Sequence, residues 1–250
     1  MIESFIDLKQ LRQRPFLTFF WAMLLNSVAI IITSQIQTVQ AGFGMFAVLF
    51  TIIPSVFFLT LLIKQEERRE EKGGTFWDIH GEDILILLLF FFGLTISFAL
   101  WTALLPQGTF DTQISKIAEI RGTGAVALEG AFLAILQNNL QVMAVSFILS
   151  FIFGAGAIFI LVWNASVLGV YIGQASQSLL HIPVVSLGFL PHGIPEIGGY
   201  VVAGLAGGIL SAAILRKRED ILLRIFWDSV KLMVLATLLI ALGAGIEVFL

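Results

Sequence analysis

The sequence predicts an all-α, polytopic membrane protein: a helical bundle of about seven transmembrane helices, N-terminus cytoplasmic and C-terminus outside. Three observations carry this. Hydrophobic residues make up 58% of the 250 and charged residues only 12%, with a mean hydropathy of +0.98. A soluble domain carries about 25% charge, so lipid is the solvent for most of this chain. Seven apolar runs recur, most of them near the roughly 20 residues that cross a hydrocarbon layer. When the runs are threaded through a membrane, twelve of fourteen basic residues fall on one side and only Lys116 and Arg121 on the other. That asymmetry sets the orientation by the positive-inside rule.

Taken in order, Lys9, Arg12 and Arg14 precede the first run, Phe16 to Thr33. No small-residue cleavage site follows, so the run reads as an uncleaved span. Phe43 to Ile63 is the second, with Pro54 a kink site. Lys64 to Lys72 interleaves acids and bases and reads as this helix running on into water, stopped by Gly73-Gly74. Trp77 to Asp83 is a short amphipathic link whose His80 is expected in solvent. Ile84 to Leu105 is the third span, ended by Pro106. Residues 106–131 are the longest polar connection, and Ala125 to Gln137 reads as a helix lying along the interface. Asn138-Asn139 opens the fourth span, Leu140 to Trp163, as an N-cap whose side-chain oxygen takes an unsatisfied amide. A tight hairpin at Trp163-Asn164 leads into the fifth, Ala165 to Leu180, ended at His181-Ile182-Pro183. Val184 to Leu190 is too short to cross. The polar break Pro191-His192-Gly193-Ile194-Pro195-Glu196 precedes the sixth span, Ile197 to Leu215, which Arg216 to Asp220 closes. Ile221 to Ser229 reads as an interfacial turn before the seventh, Val230 to Phe249, with Glu247 near its far end. This divides the chain into a three-span region (1–105, with a charged cytoplasmic loop at 64–83), an outer loop (106–135) and a four-span core (136–250).

The same threading gathers Asn138, Asn139, His181, His192, Glu196 and Glu247 near the outer surface. His192 and Glu196 stand at i and i+4, one face of a helix. Two readings are open. In the structural one, Glu196 is the anion of a helix start, Pro195 sits in the first turn, and His192 is cap or partner. In the functional one, Asn138, Asn139, His192, Glu196 and Glu247 line a binding site, with His192 and Glu196 as the catalytic candidates, general acid/base and orienter. Ionisable groups inside a membrane are costly and usually paired or functional. A metal site would need Glu247 or His181 as third ligand and lacks His-Glu-x-x-His spacing, so no metal and no cofactor are expected. Small residues at four-residue spacing, namely Ser146, Ser150 and Gly154, then Ala165, Gly169 and Gly173, then Gly204, Gly208 and Ala212, let backbones approach closely in lipid. They serve packing, and also offer a surface for a homo-oligomer. With no cysteine there is no disulfide framework, and with no basic patch no nucleic-acid partner is expected. The sequence holds no nucleophile elbow, Walker loop or paired-aspartate protease motif.

Gln137-Asn138-Asn139, then Phe151 with Gly154 and Gly156, Asn164, Leu168-Gly169, and Leu190-Pro191-His192-Gly193 with Glu196 form a recognisable series. With Ala203-Gly204, Gly207-Gly208 and Glu247, it resembles the stage II sporulation protein M family over about residues 135–250. The family has Asn-Gly at the turn matching Asn164, where this chain has Ala165. The resemblance implies a membrane anchor that assembles with peptidoglycan-degrading partners. The expected function is therefore a non-enzymatic scaffold in the cell membrane, with the bilayer and membrane or envelope proteins as partners. The alternative is a membrane-embedded enzyme or transport-like protein using His192 and Glu196 in an outer-leaflet pocket.

Overall fold

The computed structural model describes residues 8–36, 42–72, 76–123, 128–215 and 222–249, and its regular elements among these are helices throughout. They are α1 (Leu8–Gln13), α2 (Phe16–Ser34), α3 (Phe43–Lys72), α4 (Phe76–Leu104), α5 (Asp111–Thr123), α6 (Leu128–Phe153), α7 (Ala157–Ala175), α8 (Ile182–Leu215) and α9 (Leu222–Phe249). Seven of them, α2 to α4 and α6 to α9, are long and apolar enough to cross a membrane.

The first three spans fall where the hydropathy puts them. Helix α3 runs through Pro54 and on along the charged stretch to Lys72. The glycine stop at Gly73-Gly74 and the charged run Arg216 to Asp220 lie outside the described residues. Thr51 and Ser55 hydroxyls donate to the carbonyls of Ala47 and Thr51 beside the proline, local satisfaction that lipid demands. The Trp77 to Asp83 link is a correction: it is the first part of α4, and His80 is 2% exposed rather than solvated. Arg12 in α1 reaches it, with Nη2 donating to Asp83 Oδ1 at 2.6 Å and Nη1 to Glu82 Oε2 at 3.0 Å. The Asp83 side chain is fully buried. Within the expected outer loop, α5 packs back on the bundle, its Gln113 buried and donating to Gly44 O and Ser166 Oγ.

The second half keeps the span count and moves the boundaries. The expected interfacial helix and the fourth span are one helix, α6, so Asn138-Asn139 are interior positions and not an N-cap. The hairpin lies at Gly154-Ala155-Gly156, ten residues before the one expected at Asn164. Gly154 takes φ +73°, a left-handed conformation that costs glycine little. Gly154 is thus a turn residue, not a packing one, and Gly156 lies directly on the Leu149 backbone. Asn164 sits inside α7, its Nδ2 donating to Ile160 O at 2.8 Å. A 3-10 turn at Leu179–His181 leads into α8, which continues unbroken through Pro191 and Pro195. At 1.5 Å per residue, its 34 residues span about 51 Å. The carbonyls deprived of helical donors by the prolines belong to Leu187 and Pro191, and both residues are exposed. Residues 222–229 likewise belong to α9 rather than to an interfacial turn.

Helix α8 is the pillar. In its candidate span 89% of the most apolar window is buried within the protein, against 17% for α6 and 28% for α9, the two helices it chiefly packs against. Close approach rests on missing side chains. A Cβ at Gly204 would collide with Ala157 and one at Gly207 with the Phe147 carbonyl. Gly208 is buried in the same stretch. Gly169 rests on the Thr95 carbonyl of α4, and Gly173 would set a Cβ 2.7 Å from Ala99 O and Thr102 Cβ. These small residues are therefore engaged inside the bundle, not offered to a second copy. Across α2, α3 and α4, Asn26 donates to Ser97 Oγ at 3.0 Å and accepts from Thr51 Oγ1 at 2.9 Å. Trp21, Phe58 and Phe90 of the same three helices cluster with ring centroids 5.2–6.0 Å apart.

Two substitutions test this packing by thermal unfolding in detergent micelles. Gly169→Ala, forced onto backbone, is expected to cost about 1–3 kcal/mol, whereas Gly193→Ala, with nothing within 4 Å, is expected to be neutral or better. Arg12→Ala removes the guanidinium from a buried carboxylate and is expected to cost about 3–5 kcal/mol, with Asp83→Asn in the same chain recovering most of it.

Candidate functional site

Helices α6, α8 and α9 meet at the end of the bundle where α8 begins its buried course. On α8, Glu196 and Tyr200 are one turn apart and share a face. Tyr200 Oη donates to Asn139 Oδ1 of α6 at 2.6 Å, and Asn138 Nδ2 approaches the same oxygen at 3.3 Å. The Glu196 carboxyl lies close to both Asn139 and Glu247 of α9. Gly243 makes the approach of α9 possible: a Cβ there would strike the Glu196 side chain and sit 3.1 Å from the His192 carbonyl. One carboxylate oxygen, Glu196 Oε1, is buried without a hydrogen-bond partner. Asn139 and Tyr200 are 6% and 3% exposed, so the α6–α8 bond is sealed between helices, while Glu196 is half-buried and Glu247 is exposed.

The structure thus brings together Asn139, Glu196 and Glu247, with Asn138 and Glu247 at the exposed edge. It does not bring in His192. That imidazole packs edge-on against Phe189 at 5.7 Å, and Phe189 in turn meets Tyr171 of α7 at 5.2 Å. Among the described residues no hydrogen bond or ion pair joins His192 to Glu196. The helix-start reading of Glu196 also falls, because α8 begins at Ile182, more than three turns earlier. Tyr200 is the member that sequence reasoning missed. The available signal was its spacing: it continues the i, i+4 series of His192 and Glu196 and is one of two tyrosines in the chain.

Among the described residues no group of three His, Asp or Glu is placed to hold a metal ion. A surface cleft of about 810 Å³ opens between the α4–α5 and α7–α8 connections, lined by Gln107, Asp111, Gln174 and Ser178 among others. None of Asn138, Asn139, His192, Glu196 and Glu247 lines it. A shallower apolar groove of about 260 Å³ lies between Phe147, Leu210 and Met233.

The stage II sporulation protein M family model matches residues 86–250, from early in α4 to the last residue of the sequence. The chain belongs to the stage II sporulation protein M family. The match begins in the third span, so family membership reaches about fifty residues earlier than the motifs of residues 135–250 suggest. A Methanocaldococcus jannaschii protein described only as uncharacterised is 29% identical over 123 residues, 47% of this chain and 69% of its own length. No solved structure is significantly similar. Within the family region, every member of the Asn139–Tyr200–Glu196–Glu247 cluster falls inside the matched residues.

Tyr200→Phe removes the 2.6 Å bond between α8 and α6 while keeping the ring. It is expected to lower stability by about 1 kcal/mol, read as a lower unfolding midpoint in micelles, and His192→Ala is expected to leave the α6–α8 contact intact and cost less.

Proposed function

We propose that this protein is a non-enzymatic membrane scaffold, an assembly factor for membrane or envelope partners, with a cytoplasmic N-terminus and an outer C-terminus. The observation that carries the reading is the engagement of the polar cluster. Tyr200 is bonded to Asn139 and ties α8 to α6, with Glu196 and Glu247 of α9 alongside, while His192, the expected acid/base, rests on an aromatic ring. Buried polar groups of this kind fasten transmembrane helices. The flanking helices α2, α6 and α9 meanwhile keep most of their apolar surface outward, where other membrane helices can pack. Orientation follows from the basic residues, Lys9, Arg12 and Arg14 before the first span among them. In this reading residues 136–250 form the four-span core and 1–105 a three-span flank, with 106–135 an outer connection. The family's description as a sporulation protein agrees with a role in envelope remodelling and does not name a partner.

A second reading keeps a membrane-embedded enzyme or transport-like protein in view. It rests on Glu196 Oε1, buried and unpartnered beside a second carboxyl, a group available to a proton or a cationic ligand. Here Glu196, not His192, would be the working residue.

A peroxidase fused to the C-terminus and run in intact cells tests both. The scaffold reading expects a recurring set of membrane or envelope proteins, unchanged in Glu196→Gln, which keeps the shape of the cluster. Absence of any recurring partner overturns the scaffold, and a purely cytoplasmic set overturns the orientation. Loss of the set on Glu196→Gln alone, with the protein still folded, favours the second reading.

A further inference from the structure

The least buried span is α6, and its outward seam has an unusual composition. Ala134, Asn138, Gln141, Val145, Ile148 and Ile152 are all exposed and recur at alternating steps of four and three residues. Any outward helical stripe has that spacing; what is informative is the residues that occupy it. Val145, Ile148 and Ile152 are β-branched and 43%, 50% and 57% exposed, the stiff side chains that pack well across a helix pair. Ahead of them stand two amides. The span runs from Phe132 to Phe153, so Asn138 and Gln141 lie about 9 and 14 Å inside its start at 1.5 Å per residue. In a hydrocarbon layer about 30 Å thick, Gln141 faces lipid well below the surface. Gln137, also exposed, flanks them. Asn138 has one bond, to Asn139, and among the described residues nothing hydrogen-bonds Gln137 or Gln141.

An amide exposed to hydrocarbon is costly, and one chemistry answers both its donor and its acceptor: another amide at the same depth. A second copy of this chain supplies that by necessity. Two copies inserted the same way present parallel α6 helices with Asn138 and Gln141 level with their counterparts. We propose that this seam is a homodimer interface. Helix α6 of one protomer packs on α6 of another about a two-fold axis along the membrane normal, with Asn138 and Gln141 hydrogen-bonding across it and the β-branched residues interlocking below. Both partners then use the same patch, which closes the assembly at two. A polar pair within an apolar seam also sets register, as a buried asparagine does in coiled coils. The pairing does not depend on the scaffold reading, since it concerns contacts between identical chains.

The chain contains no cysteine, so single cysteines report the interface directly. Purified protein in phosphatidylcholine vesicles, carrying Gln141→Cys, Val145→Cys, Ile148→Cys or Ile152→Cys, is expected to form disulfide-linked dimers on mild oxidation. Leu238→Cys and Leu242→Cys, on α9 and comparably exposed, are expected to stay monomeric. Cross-linking that is equal on the two helices, or absent from α6, overturns the proposal. Energy transfer between labelled protomers gives the second arm. Asn138→Leu with Gln141→Leu is expected to raise the dimer Kd about tenfold or more. Gln141 is on the surface with no hydrogen bond among the described residues, so Gln141→Leu alone should hold the unfolding midpoint while still raising the Kd. An unchanged Kd in folded Gln141→Leu and in the folded double variant overturns the proposal. Both measurements use the purified chain alone, so failure to find other partners in cells leaves them untouched.

Discussion

Close backbone contact along α8 is the constraint on which the rest of this bundle depends. In lipid, burying apolar side chains against one another brings little advantage over burying them in acyl chains, so helices associate through packing and internal hydrogen bonds. Helix α8 meets that demand with missing side chains at Gly199, Gly204 and Gly207, which seat it on α9 and on α6 with the start of α7. Ser146 and Ser229 then donate to the carbonyls of Tyr200 and Ala206 across the same contacts. Shape and hydrogen bonding cooperate there, and the neighbouring helices are left with their outer faces free.

The polar cluster follows from that arrangement. Once α6 lies against α8, Asn139 and Tyr200 are shut away from solvent and turn on each other. Half-buried Glu196 lies alongside them, and exposed Glu247 of α9 stands beside it. Intramembrane polar groups usually find such partners. His192 escapes this arrangement because its ring lies on Phe189 of its own helix. A motif that reads as one chemical unit in the sequence is divided by the fold into a carboxyl beside Asn139 and Glu247 and an imidazole packed edge-on against Phe189.

The N-terminal half solves the same problem differently. Asn26, Thr51 and Ser97 satisfy one another between three helices, and Arg12 holds the buried Asp83 at the opposite end of α4. Neither network was legible as a motif. Each joins residues 25 to 71 positions apart, and no local pattern marks which polar residue of an apolar run turns inward. The buried His80 was missed for the same reason: its neighbours Asp78 and Glu82 look like a solvated link until Arg12 is placed beside Glu82 and Asp83.

The sequence by itself determined the helical class, the seven spans and the charged extension of the second, because each depends on composition or periodicity over a local window, and its motifs carried the resemblance to the family. It also brought forward Asn139, Glu196 and Glu247. The tertiary structure decided where helices end and which side chains meet. Gly154 makes the hairpin because its positive φ is a backbone choice, while Asn164, the expected turn, is absorbed into α7. Pro191 and Pro195 do not break α8, because the residues whose carbonyls they orphan are exposed at one end of the bundle and not buried in it. Tyr200 joined the cluster only when α6 arrived to accept its hydroxyl. Periodicity measures what a segment prefers to face; contact across sixty residues is set by the packing of the whole bundle.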